Sequence, residues 1–146
     1  MVDLLTELVM GTTPIVTEET RPFWDATVNE ELHVQVCDEC GARQLPGGPC
    51  CSRCWSMTFH WERASGRGQV FSYTIVRHAF HPAFADDVPY VVADVELDEG
   101  PILTTNVTDC PVQAVRIDME VEVHFAQEVN DPFGSLLRLP LFRPIA

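Results

Sequence analysis

The segment "CDECGARQLPGGPCCSRC", residues 37–54, holds five of the six cysteines in the chain. Cys37 and Cys40 are separated by two residues, and Cys51 and Cys54 repeat that spacing. Two residues between thiolates let a tight turn, called a knuckle here, direct both sulfurs at one metal ion. Two such knuckles supply the four ligands of a tetrahedral site. The segment therefore predicts one metal site built from these four cysteines.

Zinc is the metal that this ligand set favours, and iron in a rubredoxin-type site is the alternative. Four protein ligands leave no position for water, so the predicted zinc is structural, with one ion per chain. Gly41 supports a knuckle, because the residue after the second ligand usually needs a positive φ. Cys50 is predicted to be the spare thiol, since its pairing with Cys54 would need a three-residue spacer. Cys110 lies too far along the chain to complete a knuckle and is predicted to be a small buried side chain.

Charge and composition limit the partners that the chain can have. The 146 residues include 22 Asp and Glu but only nine basic residues, all of them arginine, so the net charge is −13. Such a surface repels polyphosphates and anionic membranes and favours protein or small-molecule partners. No apolar run approaches the roughly 20 residues that span a bilayer.

The first ten residues, "MVDLLTELVM", do not resemble a secretory signal, because they contain Asp3 and Glu7 and lack a basic start. They predict a short amphipathic helix that leads into a linker. A cytoplasmic location is expected, and in that reducing compartment cysteines serve as metal ligands or buried thiols rather than disulfides.

A helix and two strands are predicted around the cysteines. Residues 20–32 begin like a helix, because Thr20 can cap it and Trp24, Val28 and Leu32 recur every four residues. "HVQV" then alternates as a strand that enters the first knuckle, and "SMTFHWERAS" is the returning strand. Knuckles carried on such strands form a zinc ribbon.

The remainder of the chain alternates in the manner of β-strands. "QVFSYTIV", "PYVVADVELDEG", "ILTTNV", "MEVEVHF" and "LLRLPLFRP" are five predicted strands, and "DCPVQAVRIDM" adds one or two helical turns after the third. This order predicts an OB-fold barrel. The expected fold is mainly β, an N-terminal helix and zinc ribbon followed by a C-terminal OB-fold barrel. The expected divisions are a helix and linker at 1–19, a helix plus zinc ribbon at 20–65, and the barrel at 66–146.

The order of "PFWDA", "CDECG", "CSRC", "GRGQVFSYTIV", "PYVVADVELDEG" and "LPLFRP" resembles the rubredoxin-like zinc-ribbon plus OB-fold family, long catalogued as a domain of unknown function and as acyl-CoA-associated proteins. The resemblance covers about residues 20–146. It departs from the family pattern at Ser52 and Trp55, where proline and glycine are common, and at "LPGGPC", which replaces a basic segment. All four predicted metal ligands remain.

The resemblance implies a role without catalytic residues of its own. Members of the family are partner subunits of thiolase-superfamily enzymes that act on acyl-CoA, and some belong to the retro-aldol C–C lyase of steroid side-chain degradation. That aldolase complex is the preferred specific role for this chain. The expected assembly is a heterotetramer with two copies of each chain.

"RHAFHP" places Arg77, His78 and His81 in the loop after the first barrel strand. These residues are predicted to lie near substrate, because acyl-CoA phosphates need cations and Arg77 is one of few in the chain. An ordinary surface loop is the alternative. The sequence contains no phosphate-binding glycine loop and no nucleophile elbow. An enzyme that acts alone through His78 and His81 is therefore a competing hypothesis rather than the preferred one.

A nucleic-acid-binding ribbon and OB module is the other competing hypothesis, since both folds occur in nucleic-acid machinery. Such a site needs a cationic groove. The outward residues of the predicted strands are instead acidic: Asp94, Glu96, Asp98, Glu120 and Glu122. No nucleic-acid partner is expected for this reason.

Overall fold

The computed structural model describes residues 13–45 and 47–145, so the helix predicted for residues 1–10 lies outside the described residues. The described part is mainly β, which confirms the predicted fold class. Its helix is α1 (Arg21–Val28), and its strands are β1 (His33–Cys37), β2 (Arg43–Gln44), β3 (Phe59–Arg63), β4 (Arg67–Val76), β5 (Tyr90–Leu97), β6 (Ile102–Val107), β7 (Glu120–Phe125), β8 (Val129–Asn130), β9 (Leu136–Leu137) and β10 (Pro140–Pro144).

The first three strands form a small sheet in the order β2-β1-β3, with β1 antiparallel to both neighbours. Val34 and Val36 of β1 are buried and belong to the main hydrophobic core. The first knuckle connects β1 to β2, and the second lies between β2 and β3. The sheet therefore presents both knuckles at the same end, because β1 leads into that end and β3 returns from it.

Strands β4, β5, β6, β7 and β10 close into a barrel in the order β10-β6-β5-β4-β7. This is the strand order of an OB-fold, so the predicted barrel is confirmed. Strand β10 pairs with β7 through five residues but with β6 through the single pair Phe142↔Val107. The β6–β10 junction, called the seam from here on, is therefore the weakest side of the barrel.

The alternation predicted for β5 is confirmed. Val91, Ala93, Val95 and Leu97 are all buried inside the barrel, whereas Glu96 is exposed. Burial of each of the two valines and the leucine stabilises the fold by about 1.5–3 kcal/mol. The inner face of β5 is thus a main contributor to the barrel core.

Strand β4 contains an irregularity that the sequence does not reveal. A β-bulge between Val70 and Ser72 turns the strand, so that Val70 is buried while Phe71 is 56% and Tyr73 38% exposed. A bulge adds one residue to one strand of a pair and redirects the side chains that follow. The bulge therefore leaves Phe71 on the outside, and it places Tyr73 opposite the buried Ala93, on the barrel side of the strand.

Helix α1 ends earlier than predicted. The sequence favours a helix over residues 20–32, but the last helical residue is Val28. Glu30 has a φ of 58°, and the N–H of Glu31 donates to the carbonyl of Ala26 at 3.0 Å. A left-handed residue followed by a backward hydrogen bond is a typical helix stop, so the four-residue repeat does not continue into the next segment.

The buried face of α1 also differs from the predicted stripe of Trp24 and Val28. Phe23 and Thr27 are buried instead, at 6% and 0% exposed. The Thr27 hydroxyl donates to the Trp24 carbonyl at 2.6 Å and accepts from the N–H of Arg138 at 3.1 Å. The helix is therefore oriented by contact with the C-terminal part of the chain, which a local repeat cannot report.

Strands β8 and β9 form a hairpin that contacts the segment before α1. Its buried Asp131 accepts hydrogen bonds from the N–H groups of Phe133 and Ser135 within the hairpin. It also accepts one from the N–H of Val16 at 3.0 Å, 115 residues away. This set of contacts, called the Asp131 clip, fixes the segment before α1 against the C-terminal hairpin.

In the part of the chain that the structure describes, no helix is both long enough and apolar enough to cross a membrane.

Candidate metal centre

The structure brings together the four cysteines of the two knuckles. Their sulfur atoms all lie within 4.8 Å of one another, with 3.5 Å between Cys37 and Cys54 and 3.6 Å between Cys40 and Cys51. A tetrahedral ion with metal–sulfur bonds of about 2.3 Å requires sulfurs roughly 3.8 Å apart. The group therefore fits one four-thiolate ion, and Cys50 is not part of it.

The two knuckles share one backbone geometry. The N–H of Gly41 donates to the carbonyl of Cys37 at 3.0 Å, and the N–H of Trp55 donates to the carbonyl of Cys51 at 3.0 Å. Gly41 has a φ of 73° and Trp55 a φ of 67°, so the positive φ predicted for Gly41 is confirmed. Trp55 adopts the same conformation with a large side chain that is 80% exposed.

Backbone amides point at the first sulfur of each knuckle. Hydrogen bonds from the N–H groups of Cys40 and Glu39 lower the pKa of Cys37 to about 6, against the opposing effect of burial. In the second knuckle, the N–H of Cys54 is the main cause of a lowered pKa at Cys51. Amides in this position stabilise thiolates, the form in which cysteine binds a metal.

The pKa of Cys54 is shifted in the opposite direction to the pKa values of Cys37 and Cys51. Its pKa is lowered by the N–H of Ser56, but burial and the thiols of Cys37, Cys40 and Cys51 together raise it. The raised pKa holds the proton on Cys54 more strongly than on Cys37 or Cys51. A bound cation would release that proton, because all four ligands must be thiolates.

Burial divides the cluster into an inner and an outer half. Cys37 and Cys51 are 2% and 1% exposed, whereas Cys40 and Cys54 lie at the surface. An ion held by all four would be anchored to the sheet by its inner ligands. It would also have no position left for water or substrate, which suits a structural rather than a catalytic metal.

Two glutamines that the sequence analysis did not single out position the second knuckle. Gln35 is 3% exposed, and its carbonyl oxygen accepts from the Gln44 side chain at 2.7 Å while its amide nitrogen donates to the carbonyl of Gly48 at 3.1 Å. Gln44 in turn donates to the carbonyl of Cys50 and accepts from the N–H of Ser52. These bonds hold residues 48–50 against the sheet. The one signal in the sequence is a polar residue between two valines in "HVQV".

A network of charges covers the outside of the first knuckle. His60 bonds Asp38 through Nδ1 at 2.5 Å and Glu62 through Nε2 at 3.0 Å, and Arg43 donates to Glu62 at 3.1 Å. Glu62 and then Asp38 raise the pKa of His60. The network joins the knuckle to β2 and β3 at the surface.

The structure places Arg77, His78 and His81 in the loop that follows β4, as predicted, and does not group them with the cysteines. His81 accepts the N–H of Ala83 at 3.0 Å and so caps a short 3-10 turn. The His78 ring packs edge-on against Phe80, 5.0 Å between centroids. Arg77 makes no ion pair with any residue of the described ranges. Both histidines thus have local structural partners, whereas Arg77 is exposed.

The acidic row on β5 has structural partners as well. Asp94 accepts from the Thr104 hydroxyl at 2.6 Å and from the Ser72 hydroxyl at 3.3 Å. Within residues 13–45 and 47–145, the cysteine cluster is the one group of three or more side chains able to hold a metal ion. The described residues therefore contain one candidate metal centre and no second cluster of that kind.

A four-cysteine ribbon attached to an OB-fold barrel defines the class of ribbon-plus-OB proteins. The profile of the ChsH2 C-terminal OB-fold domain matches residues 61–126. A DUF35 domain-containing scaffold protein from Methanocaldococcus jannaschii is 35% identical over 111 residues, which are 75% of this chain and 78% of that protein. The chain belongs to the DUF35 family.

Two further relatives connect this family to larger assemblies. A probable enoyl-CoA hydratase alpha subunit from Thermomonospora curvata is 37% identical over 131 residues, which are 90% of this chain but only 39% of that protein. The solved structure of the Ltp2-ChsH2(DUF35) aldolase contains a chain with a TM-score of 0.77 and 36% identity. That match covers 90% of this chain and 98% of the other.

Proposed function

We propose that the chain is a non-catalytic accessory subunit of a thiolase-superfamily enzyme that acts on acyl-CoA, and that its four-cysteine cluster holds one structural zinc ion. The observation that supports the proposal is a cluster of four cysteines in a chain that superposes on 98% of a chain from the Ltp2-ChsH2(DUF35) aldolase structure. Such a centre stabilises a fold, and it leaves the chemistry to another subunit.

The donor set and its setting support zinc. Four thiolates suit zinc or iron, but a centre whose work is structural gains nothing from a redox-active ion. We expect one zinc per chain in protein purified without added metal, measured by inductively coupled plasma mass spectrometry. Stoichiometric iron with the visible absorption of a ferric tetrathiolate would contradict this assignment.

The specific role proposed is in the retro-aldol cleavage that the family resemblance implies for steroid side-chain acyl-CoA esters. In that reaction the bond between the α- and β-carbons breaks, the β-hydroxyl loses its proton and becomes a ketone, and the α-carbon takes up a proton to leave a shorter acyl-CoA. The general acid and base would belong to the thiolase-like partner. Two copies of each chain are the expected assembly.

Affinity capture of the tagged chain from its own host, followed by an activity assay, tests this role. We expect a thiolase-superfamily protein at one copy per chain, and cleavage of acyl-CoA esters by the pair but not by either subunit alone. Cleavage by this chain alone would support the competing hypothesis of an independent enzyme. Recovery of nucleic-acid machinery would contradict the proposal in favour of a nucleic-acid module.

The loop that contains Arg77, His78 and His81 is proposed to lie near the substrate in that complex. We expect the double variant Arg77→Ala, His78→Ala to assemble normally but to raise the KM for acyl-CoA about tenfold, because a lost charge-assisted contact to phosphate is worth about that much. Arg116→Ala is the matched control, since it removes another exposed cation. Unchanged kinetics in the double variant would make Arg77 and His78 ordinary surface residues.

A further inference from the structure

A cavity of about 520 Å³ lies between helix α1, the small sheet and the barrel. Phe23 and Trp24 of α1 form one wall, and Leu45 after β2 forms the second. The remaining wall is the barrel, with residues 102–106 of β6 and residues 139–141 at the start of β10. This space, called the junction cavity, is separate from the cysteine cluster.

The junction cavity runs along the seam of the barrel. It is lined by five consecutive residues of β6. Because side chains alternate along a strand, a space that touches every residue of the run must lie at the edge of the strand rather than on one face. That edge is open here, since β6 and β10 share one residue pair, Phe142↔Val107.

The polar side chains of this wall each donate a hydrogen bond within the protein. The Thr105 hydroxyl donates to the carbonyl of Pro140 at 2.8 Å, and the Asn106 amide donates to the carbonyl of Val91 at 2.8 Å. The Thr104 hydroxyl donates to Asp94 at 2.6 Å. Within the described ranges no charged side chain lines the cavity. Its surface is therefore mostly hydrocarbon, and the described lining holds no cation that would recognise a phosphate or a carboxylate.

The geometry points to a binding site for the uncharged hydrocarbon part of a small molecule, either a flexible chain or a fused-ring system, in the junction cavity. Small-molecule sites are concave, mostly apolar and about 300–1,000 Å³ in volume, and the cavity meets each of these conditions. Burial of hydrocarbon against Trp24, Leu45 and Ile102 supplies the driving force. The inference does not depend on the proposed partner enzyme, although the hydrocarbon part of an acyl-CoA has the required chemistry.

Binding of a neutral fluorescent hydrocarbon to the full-length chain tests the inference. The probe is 1-aminoanthracene, which is uncharged at pH 7 and brightens in apolar surroundings. We expect a saturable increase with one site per chain. Displacement by decan-1-ol alone would identify a site for flexible chains, and displacement by 9-phenanthrol alone a site for fused rings. No saturable binding of the probe would overturn the inference.

Substitutions at Ile102 test whether the probe binds in the junction cavity. Ile102 lines the cavity and is 40% exposed, so the barrel tolerates changes there without loss of a buried contact. We expect Ile102→Glu to weaken probe binding at least about tenfold, because it introduces a charge into an apolar site. Ile102→Trp should weaken binding comparably by occupying the space while remaining apolar.

Ile117→Glu is the matched control, because Ile117 is 52% exposed and does not line the cavity. It should bind the probe like the unmodified chain. Equal weakening by Ile117→Glu, or full binding by both Ile102 variants, would place the probe elsewhere and overturn the inference. Thermal unfolding of each variant confirms that the protein compared is folded. Because the assay contains no partner enzyme, its failure leaves the accessory-subunit proposal untouched.

Discussion

Gly41 and Trp55 occupy equivalent positions in the two knuckles, and both have a positive φ near 70°. The left-handed region costs a residue with a Cβ atom about 1–2 kcal/mol, whereas glycine adopts it freely. Trp55 therefore carries a backbone strain that Gly41 avoids. Since its side chain is 80% exposed, burial of the indole does not compensate for that strain within the described chain.

We expect Trp55→Gly to be more stable than Trp55→Ala by about 1 kcal/mol in the free energy of unfolding, because alanine retains the strain and glycine removes it. Chemical denaturation of the metal-bound protein measures the difference. Met57 is the matched control, since it is 76% exposed and its φ is not positive. At that site the order should reverse, with alanine the more stable. The same order at both sites would show that the knuckle is not strained.

The cysteine ligands supply a second prediction for single residues. We expect Cys37→Ala or Cys54→Ala to abolish soluble expression and zinc binding, because metal binding in a small ribbon is part of the free energy of folding. Cys50→Ala is the control and should retain one zinc per chain, since its sulfur lies outside the cluster. A soluble, metal-free Cys37→Ala protein that still binds its partner would contradict the structural role, and loss of zinc from Cys50→Ala would reassign the ligands.

Among the strands, β4 and β5 approach so closely at Gly68 that a side chain has no room. A Cβ atom there would lie 2.3 Å from the carbonyl oxygen of Glu96. Because the obstacle is backbone, it cannot move aside as a flexible side chain would. We expect Gly68→Ala to lower the free energy of unfolding by at least about 3 kcal/mol or to prevent folding.

Gly48→Ala is the matched control for this prediction, because a Cβ atom at Gly48 would meet nothing closer than 3.7 Å and its φ is not positive. Chemical denaturation of both variants gives the comparison. Similar stabilities would mean that β4 and β5 can separate at this point without cost.

The elements that the sequence predicts well are those whose pattern arises within a single segment. The alternation of β5 is clear because one face of the strand is buried along its whole length. The predicted end of α1 was wrong. The helix stops because Glu30 adopts a left-handed conformation, and a glutamate in the sequence rarely indicates such a conformation. The hairpin of β8 and β9 was missed, because two-residue strands are too short to show a period.

The candidate site likewise combines features that local sequence predicts with features that depend on distant segments. The cysteine cluster follows from spacing, since each knuckle is a local turn with its ligands two residues apart. The support from Gln35 and Gln44 could not be predicted, because it depends on the pairing of β1 with β2 and on the path of the loop beyond them. The junction cavity is likewise formed by segments that are distant in sequence.

At the scale of the whole molecule, the Asp131 clip connects the two ends of the described chain. Burial raises the pKa of Asp131, but the N–H groups of Val16, Ser135 and Phe133 together lower it below the ordinary value of 3.8. A carboxyl whose folded pKa is lowered contributes stability above its unfolded pKa and loses that contribution as the pH falls through the folded value. The clip should therefore be complete at neutral pH and weaken below about pH 4.

We expect Asp131→Asn to lower the Tm at pH 7 by on the order of 5 °C, because the amide replaces one accepting oxygen with a donor that faces backbone N–H groups. The difference from the unmodified protein should shrink below about pH 4, where the carboxyl itself becomes protonated. Asp98→Asn is the control, since it removes the same charge from an exposed position after β5. A Tm difference that stays constant down to pH 2, or equal losses in both variants, would contradict the clip.

The seam is the side of the barrel that we expect to open most readily. Separating β10 from β6 breaks one residue pair and the hydrogen bonds from Thr105 and Thr108 to β10, whereas separating β4 from β5 would break eight residue pairs. Transient opening along the first line is therefore far cheaper than opening anywhere around the β4–β5 side. Since the junction cavity lies along that line, a motion of β10 would change the shape of its barrel wall. Residence time in the cavity would then respond to whatever binds the outer side of that last strand, even when the cavity walls are unchanged.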